Sequence, residues 1–496
     1  MAAGRLRPSL ADKARFARLR EVPVAMALLA RIPEGLKPER EYAVRVLLRD
    51  ILGLDVRLEA GPPGSVRIEL AAEPDAGSIE VADVFLARAS GAWLSPETVP
   101  RSTLSCWEVP SSLGLPGRRI VNGLPVLFGS EVGDGSFCRV GSGRIEFGVD
   151  FFGAAFFLLT RYEELASLER DRHGRFPASA SLAGRAGLLE RPLVNEYAEI
   201  LWAAMRLLWP RLGRRLARAR MCLTHDVDRP FSGDRSFLRT LRSAGADILL
   251  RWDPALAGRR LAAVLPSRLC GAVRDPWDTF DWLMDVSERH GERSAFYFLA
   301  GRTDARFDAD YTMNDPRIRR LLRRIADRGH EVGLHGSYGS YRSAEKVQSE
   351  FDVLRRAAQA EGVRQDVWGG RQHYLRWEAP TTWQSWEDAG LAYDSTVGFA
   401  EQAGFRAGTC SEYPVFNLRT RSTLRLRERP LALMDVTLLG HNHMHLSHAA
   451  AERVAVRITR SCREHRCPPV LLWHNSSVAA RGDRAVYERI VGRAAG

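Results

Sequence analysis

The chain has 496 residues, 45% of them hydrophobic and 27% charged, a composition typical of a globular protein of two or three domains. The net charge of +12 comes almost entirely from arginines spread among acidic residues, which argues against a nucleic-acid partner. Seven scattered cysteines indicate a reducing compartment and no disulfide framework. Because the N-terminus lacks a signal-peptide pattern and no apolar run approaches the roughly 20 residues that span a membrane, we expect a cytoplasmic protein without a transmembrane segment.

Residues 1–215 predict an N-terminal α+β domain. Short apolar runs between turn signals predict strands at residues 43–48, 66–70, 125–127 and 144–147. Apolar residues at helical spacing predict helices over residues 151–167 and 194–208, and the polar stretch 171–189 between them predicts a loop. The role of this domain stays open between substrate capture and partner docking.

Residues 216–496 alternate short apolar runs with amphipathic helices, which is typical of parallel strands covered by helices. Seven such units predict a distorted (β/α)7 barrel. The apolar runs are residues 221–224, 295–299, 331–334, 366–368, 391–393, 431–436 and 470–473. Residues of about 231–275 interrupt the alternation and predict a helical insertion over the barrel mouth.

Polar residues follow most of these runs, and reactive groups of parallel α/β barrels lie at the carboxyl ends of the strands. The first run leads into Thr224-His225-Asp226-Val227-Asp228. Two carboxylates two residues apart can divide two tasks, because one can bind a metal while the other accepts a proton from water. The alternative is a helix N-cap with a neighbouring surface acid. The third run ends at His335.

The fourth run is followed by Gly369-Gly370-Arg371-Gln372-His373-Tyr374. The paired glycines allow a ligand to approach the backbone closely. Arg371 is suited to pair with Asp226 and keep it ionised. His373 is either a third metal ligand or a hydrogen-bonded loop histidine, and the sequence favours neither.

Later runs supply Asp394 and His474, and an aspartate that orients a proton-donating histidine is a common catalytic arrangement. The sixth run contains Asp435, and we interpret it as a structural residue at a strand end. The tract from His441 to His448 resembles a metal site. The favoured interpretation is a solvated loop that precedes a helix, with Ser447 as the N-cap of that helix.

Over roughly residues 221–480 the order of these motifs resembles the polysaccharide deacetylase family, the carbohydrate esterases with a NodB homology domain. Its five motifs are similar to Thr224 through Asp228, Gly329-His330-Glu331 through His335, Arg371 through Tyr374, Asp394-Ser395, and Leu472-Trp473-His474. The Leu-Thr-His-Asp-Val-Asp opening is similar to a bacterial subgroup with an extra N-terminal domain, often associated with surface polysaccharide metabolism.

The resemblance implies a NodB-type barrel that hydrolyses N-acetyl groups of a surface polysaccharide or its precursor with a divalent metal, usually zinc, although other divalent ions stay open. By motif position, the implied metal ligands are Asp228 and His335. Asp226, oriented by Arg371, would be the base, and His474, steered by Asp394, would protonate the departing amine. Substrate and oxyanion contacts are expected from Tyr374 and Ser337.

Two departures from the family pattern affect the metal site. The second metal histidine of the family falls on Gly339, and Val227 separates the two acids of the first motif. Either His373 or His225 therefore completes the site, or metal binding is weak or absent. The alternatives to a deacetylase are a non-catalytic carbohydrate-binding or scaffold homologue and a hydrolase of a non-sugar amide.

Overall fold

The computed structural model describes residues 26–100, 103–115, 123–133, 135–215, 221–232, 257–258, 261 and 275–495. The helical insertion predicted at about 231–275 lies almost entirely outside the described residues. Within the described ranges, every helix is too short or too polar to cross a membrane.

The N-terminal part contains a six-stranded mixed sheet and a separate two-stranded one. The strands are β1 (Leu28–Pro33), β2 (Val56–Gly61), β3 (Ser65–Leu70), β4 (Ser78–Ala82), β5 (Ser105–Trp107), β6 (Leu124–Val126), β7 (Cys138–Gly141) and β8 (Arg144–Phe147). The large sheet has the order β2-β1-β3-β4-β8-β7, and β5 pairs with β6. The α-helices are Lys37–Arg45, Phe85–Ala89, Phe151–Leu159, Tyr162–Ala166, Leu182–Arg185 and Leu193–Leu208.

The strand predicted at residues 43–48 was wrong, because this stretch is helical. Helix Lys37–Arg45 has a proline in its first turn, and the π-helix Val46–Ile51 continues it. Consecutive residues are buried here because the helix packs between β1, helix Phe151–Leu159 and a strand of the second sheet. An apolar run buried on all sides does not distinguish a strand from a helix.

The second sheet has nine strands: β9 (Cys222–Val227), β10 (Ser294–Leu299), β11 (Glu331–Gly336), β12 (Gly369–Gln372), β13 (Tyr393–Asp394), β14 (Tyr413–Asn417), β15 (Ser422–Glu428), β16 (Leu433–Met434) and β17 (Val470–Leu472). Their order is β14-β15-β13-β12-β11-β10-β9-β17-β16, and all neighbours are parallel except β14 and β15. The helices are Phe280–Arg289, Pro316–Asp327, Ala344–Ala360, Thr381–Asp388, Asp435–Leu439, His448–Glu464 and Arg481–Ala495.

The mixed α/β class is confirmed, whereas closure of the second sheet into a barrel stays a prediction. Among the described residues, no ladder pairs the outermost strands β14 and β16. The chain nevertheless links the two ends of the parallel run, because β15 pairs with β13 and the following β16 pairs with β17. Between them, the backbone N–H of Leu431 donates to the carbonyl of Val397 at 3.1 Å.

The two parts of the chain share one hydrophobic core. Its buried side chains come from both sheets and their helices. The ring of Tyr42 lies 5.1 Å from that of Phe416, and its hydroxyl donates to the carbonyl of Pro414 at 2.9 Å. A buried ion pair joins Arg406 to Glu164 at 2.6 Å. The domain boundary predicted near residue 215 stays a prediction, and no gap between two cores marks it.

Candidate active site

Asp228, His335 and His373 converge at the carboxyl edge of the parallel sheet. Asp228 follows β9, His335 lies in β11, and His373 directly follows β12. One ligand atom from each residue lies within 4.8 Å of the others. Nε2 of His335 is 3.2 Å from Oδ1 of Asp228, and Nε2 of His373 is 3.6 Å from Oδ2. Parallel strands therefore bring together side chains that are up to 145 positions apart in the sequence, the separation of Asp228 from His373.

Hydrogen bonds at the far side of each imidazole orient the two histidines. Nδ1 of His335 lies 2.8 Å from the carbonyl oxygen of Arg371, and Nδ1 of His373 lies 3.0 Å from a carboxylate oxygen of Asp308. Because both partners are acceptors, each Nδ1 donates to its partner and each Nε2 is turned to the cluster. Metal-binding histidines are typically held in this way.

The residues present fit a divalent cation. Oδ1 of Asp228 is buried, and apart from the nearby Nε2 of His335 it has no hydrogen-bond partner among the described residues. Two imidazole nitrogens and one carboxylate oxygen are a common donor set of catalytic zinc and of other divalent metals. Burial would lower the pKa of His373, but the carboxylates of Asp228 and Asp308 raise it to about 9. The negative charge of the cluster therefore favours bound positive charge.

His225 does not complete the cluster. Its Nδ1 lies 2.7 Å from the carbonyl of Trp473 and its Nε2 lies 3.1 Å from Oγ of Ser294, so both ring nitrogens have other partners. Burial lowers the pKa of His225 to about 4. Of the two histidines that the sequence left open, His373 is the one at the cluster.

Asp226 and Arg371 form a buried ion pair beside the cluster. Nη1 of Arg371 donates to Oδ1 of Asp226 at 2.8 Å, while Oδ2 of Asp226 lies 3.7 Å from Nε2 of His335. Arg371 is fully buried and also donates through Nε to the carbonyl of Ser395 at 2.7 Å. One carboxylate oxygen of Asp226 is thus paired with the guanidinium, and the other is turned to the histidine.

The expected pairing of Asp394 with His474 was wrong, because Asp435 is the partner of this histidine. Oδ1 of Asp435 lies 2.8 Å from Nδ1 of His474, and Oδ2 accepts its backbone N–H at 3.0 Å. Asp394 is the last residue of the distant strand β13 and accepts instead from Thr396. Burial would lower the pKa of His474, but Asp435, assisted by Asp228, raises it to about 10. Nε2 of His474 lies 3.6 Å from Asp228.

Tyr374 and Ser337, the two predicted substrate contacts, lie in different environments. Tyr374 lines the cavity, is 37% exposed, and has a left-handed φ of 62°, a conformation that costs a non-glycine residue roughly 1–2 kcal/mol. Ser337 is fully buried, and both its N–H and its hydroxyl donate to Glu350. Its predicted oxyanion contact is therefore corrected, since these donors are already used away from the cavity.

The cluster opens into a cavity of about 350 Å³ with walls from several parts of the chain. Besides the residues above, it is lined by Arg172, His173 and Arg175 from the N-terminal part and by Asn442 and His443 from a later loop. Sequence reasoning missed the three N-terminal residues and Asp308, and it interpreted the tract that contains Asn442 and His443 as a solvated loop. None belongs to a strand-end motif, so only the polar character of residues 171–189 and the histidines near residue 443 could have indicated them.

Comparisons with known proteins give weak matches. A family model described as a family of unknown function (DUF7033) matches residues 28–210. No curated protein matches the chain. Among solved structures, a putative polysaccharide deacetylase from Mycobacterium smegmatis shares 16% identity and a TM-score of 0.36, over 57% of this chain and 88% of that one.

Two further solved structures are similar at the same level. The Xyl-CE4 domain of a multidomain xylanase from the hindgut metagenome of Trinervitermes trinervoides has 15% identity and a TM-score of 0.25, over 43% of this chain and 76% of that one. Puue allantoinase has 13% identity and a TM-score of 0.34, over 56% of this chain and 84% of that one. Likenesses of this strength assign neither a family nor an activity.

Proposed function

We propose that this protein is a metal-dependent amide hydrolase that removes N-acetyl groups from amino sugars of a glycan or of its precursor. The observation that carries the proposal is the convergence of Asp228, His335 and His373 between the carboxylate of Asp226 and the imidazole of His474. We propose zinc as the metal, because three protein ligands of this kind are usual for catalytic zinc.

Asp228, His335 and His373 would hold a divalent cation, which would supply the Lewis acidity to polarise an amide carbonyl and to acidify a water molecule. Asp226 accepts the proton of the attacking water, and Arg371 orients its carboxylate. The backbone N–H of Tyr374 is the proposed donor to the oxyanion that forms on the acetyl group.

His474 delivers a proton to the departing nitrogen as its bond to the acetyl carbon breaks. Its raised pKa keeps the imidazole protonated at neutral pH, and Asp435 holds the ring in place. The water oxygen ends on the acetyl carbon, so the products are acetate and a free amino sugar. A non-catalytic scaffold would need neither the pairing of Asp435 with His474 nor the hydrogen bond between Asp308 and His373. We therefore favour the enzyme.

Metal analysis and an amidase assay on Asp226→Asn test the proposal. We expect wild-type protein to carry one divalent ion and to release acetate from N-acetylated oligosaccharides. Asp226→Asn should keep the ion but lose roughly 100-fold or more in rate, the usual contribution of a general base. The matched control is Asp310→Asn, because the side chain of Asp310 is 71% exposed. The proposal would be refuted if the protein retained no metal after zinc loading, or if Asp226→Asn had an unchanged rate. Assays with small cyclic amides test for a non-sugar substrate.

A further inference from the structure

A turn of the N-terminal part, residues 171–176, forms one wall of the candidate active site. Asp171 stabilises this turn, because one of its carboxylate oxygens accepts the backbone N–H groups of His173 and Arg175 at 2.8 and 2.9 Å. Its other oxygen accepts Nε of Arg175 at 2.8 Å. Gly174 provides the positive φ of 73° that the turn requires. The turn thus has a defined shape of its own.

Polar contacts hold this turn against the second sheet. Nη1 of Arg175 donates to the carbonyl of Tyr374 at 2.9 Å, and Nε of Arg376 donates to the carbonyl of His173 at 2.7 Å. The ring of His173 contacts Tyr338 through Nδ1 and the tyrosine hydroxyl, 3.1 Å apart. The wall is therefore positioned before any ligand binds.

Arg172 is the residue of this wall whose charge no described residue compensates. Arg175 pairs with Asp171 at 2.7 Å, but Arg172 has no acidic partner among the residues that the structure describes. Its Nε donates to Nε2 of His173 at 3.2 Å, which anchors the base of the guanidinium. The side chain is exposed and lines the cavity, so its two terminal nitrogens are accessible to a ligand.

We propose that Arg172 binds a negatively charged group, a phosphate or a carboxylate, on an N-acylated sugar bound in the cavity. The inference rests on the proposed function and narrows its substrate class to anionic amino sugars. The planar fork of arginine matches both groups geometrically. A volume of about 350 Å³ is at the lower end of the roughly 300–1,000 Å³ of small-molecule sites, which suits one sugar unit with its anionic group.

Direct binding measurements test this inference without requiring turnover. The probes are neutral N-acetylglucosamine, its 1-phosphate, and N-acetylmuramic acid, which carries a carboxylate. By calorimetry, we expect wild-type protein to bind one anionic probe about tenfold more tightly than the neutral sugar, as one charge-assisted contact allows. The better of the two anionic probes identifies the group.

Three variants assign the preference to its source. Arg172→Gln should reduce the preference for the anionic probe over the neutral sugar at least fivefold. Arg172→Lys should retain part of this preference because the charge remains. The matched control is Arg211→Gln, since Arg211 is exposed and lies outside the cavity. Equal affinity of wild-type protein for all probes, or the same ratio in Arg172→Gln and Arg211→Gln, would overturn the inference. Anion binding that depends on Arg172 without any hydrolysis would refute the proposed function instead.

Discussion

Asp435→Asn removes the charge that supports His474 while keeping the shape of the side chain. In the native structure the carboxylate contacts both Nδ1 and the backbone N–H of His474. The histidine side chain is only 13% exposed, so burial alone would lower its pKa. Asp435 is therefore the main cause of the raised pKa of this imidazole.

The size of the effect follows from the contact. A hydrogen bond to a charged group contributes about 1.5–3 kcal/mol, and one pKa unit corresponds to about 1.4 kcal/mol. We expect the pKa of His474, which is about 10 in the native protein, to fall by roughly 1–2 units in Asp435→Asn. Because the pKa of His474 is raised in the folded protein, its ion pair with Asp435 stabilises the fold fully below about pH 6.5. This stabilisation is lost as the pH rises through about 10.

The assay is an NMR titration of protein labelled in its 12 histidines, with His474→Gln used to assign the signal. A pH profile of acetate release provides a second readout, because the alkaline limb should move to lower pH in Asp435→Asn. The matched control is Asp394→Asn, which changes the aspartate that the sequence had paired with His474. An unchanged titration in Asp435→Asn, or an equal shift in Asp394→Asn, would refute the reasoning.

Three further predictions concern the residues around the cluster. Asp308→Asn should weaken metal binding roughly 10–100-fold in competition with a chelating dye, because Asp308 orients His373; equal affinity would contradict this role. Burial would raise the pKa of Asp308, but its hydrogen bonds lower it to about 2. The free energy of unfolding should therefore fall between about pH 4 and pH 2, and in Asp308→Asn it should fall less steeply over this range. Arg371→Gln should lose about 3–5 kcal/mol in urea unfolding, since it leaves Asp226 buried without its partner, and a loss below 1 kcal/mol would contradict that.

Much of the site could be predicted from the sequence because most of its residues lie at the ends of strands. Asp226, Asp228, His335 and His373 each lie at or just beyond the end of a buried apolar run, and parallel strands place such ends at one edge. Their placement at one edge of the sheet therefore follows from secondary structure alone.

The partner of His474 could not be predicted in this way. Asp435 lies near the end of one apolar run and Asp394 directly follows another, and only the strand order distinguishes them. β16 lies next to β17, whereas four strands separate β13 from β17 in the sheet. Asp435 is therefore the neighbour of His474. That order is set by long-range pairing, which the local pattern of residues does not contain.

The interlocked core limits how this protein can be divided. A fragment that starts at β9 would expose Phe416, whose ring packs on Tyr42 and Phe156 at centroid distances of 5.1 and 5.2 Å. It would also lack the turn at residues 171–176 and so one side of the pocket. A fragment cut to the second sheet and its helices would therefore aggregate more readily and would select its ligands differently from the intact chain.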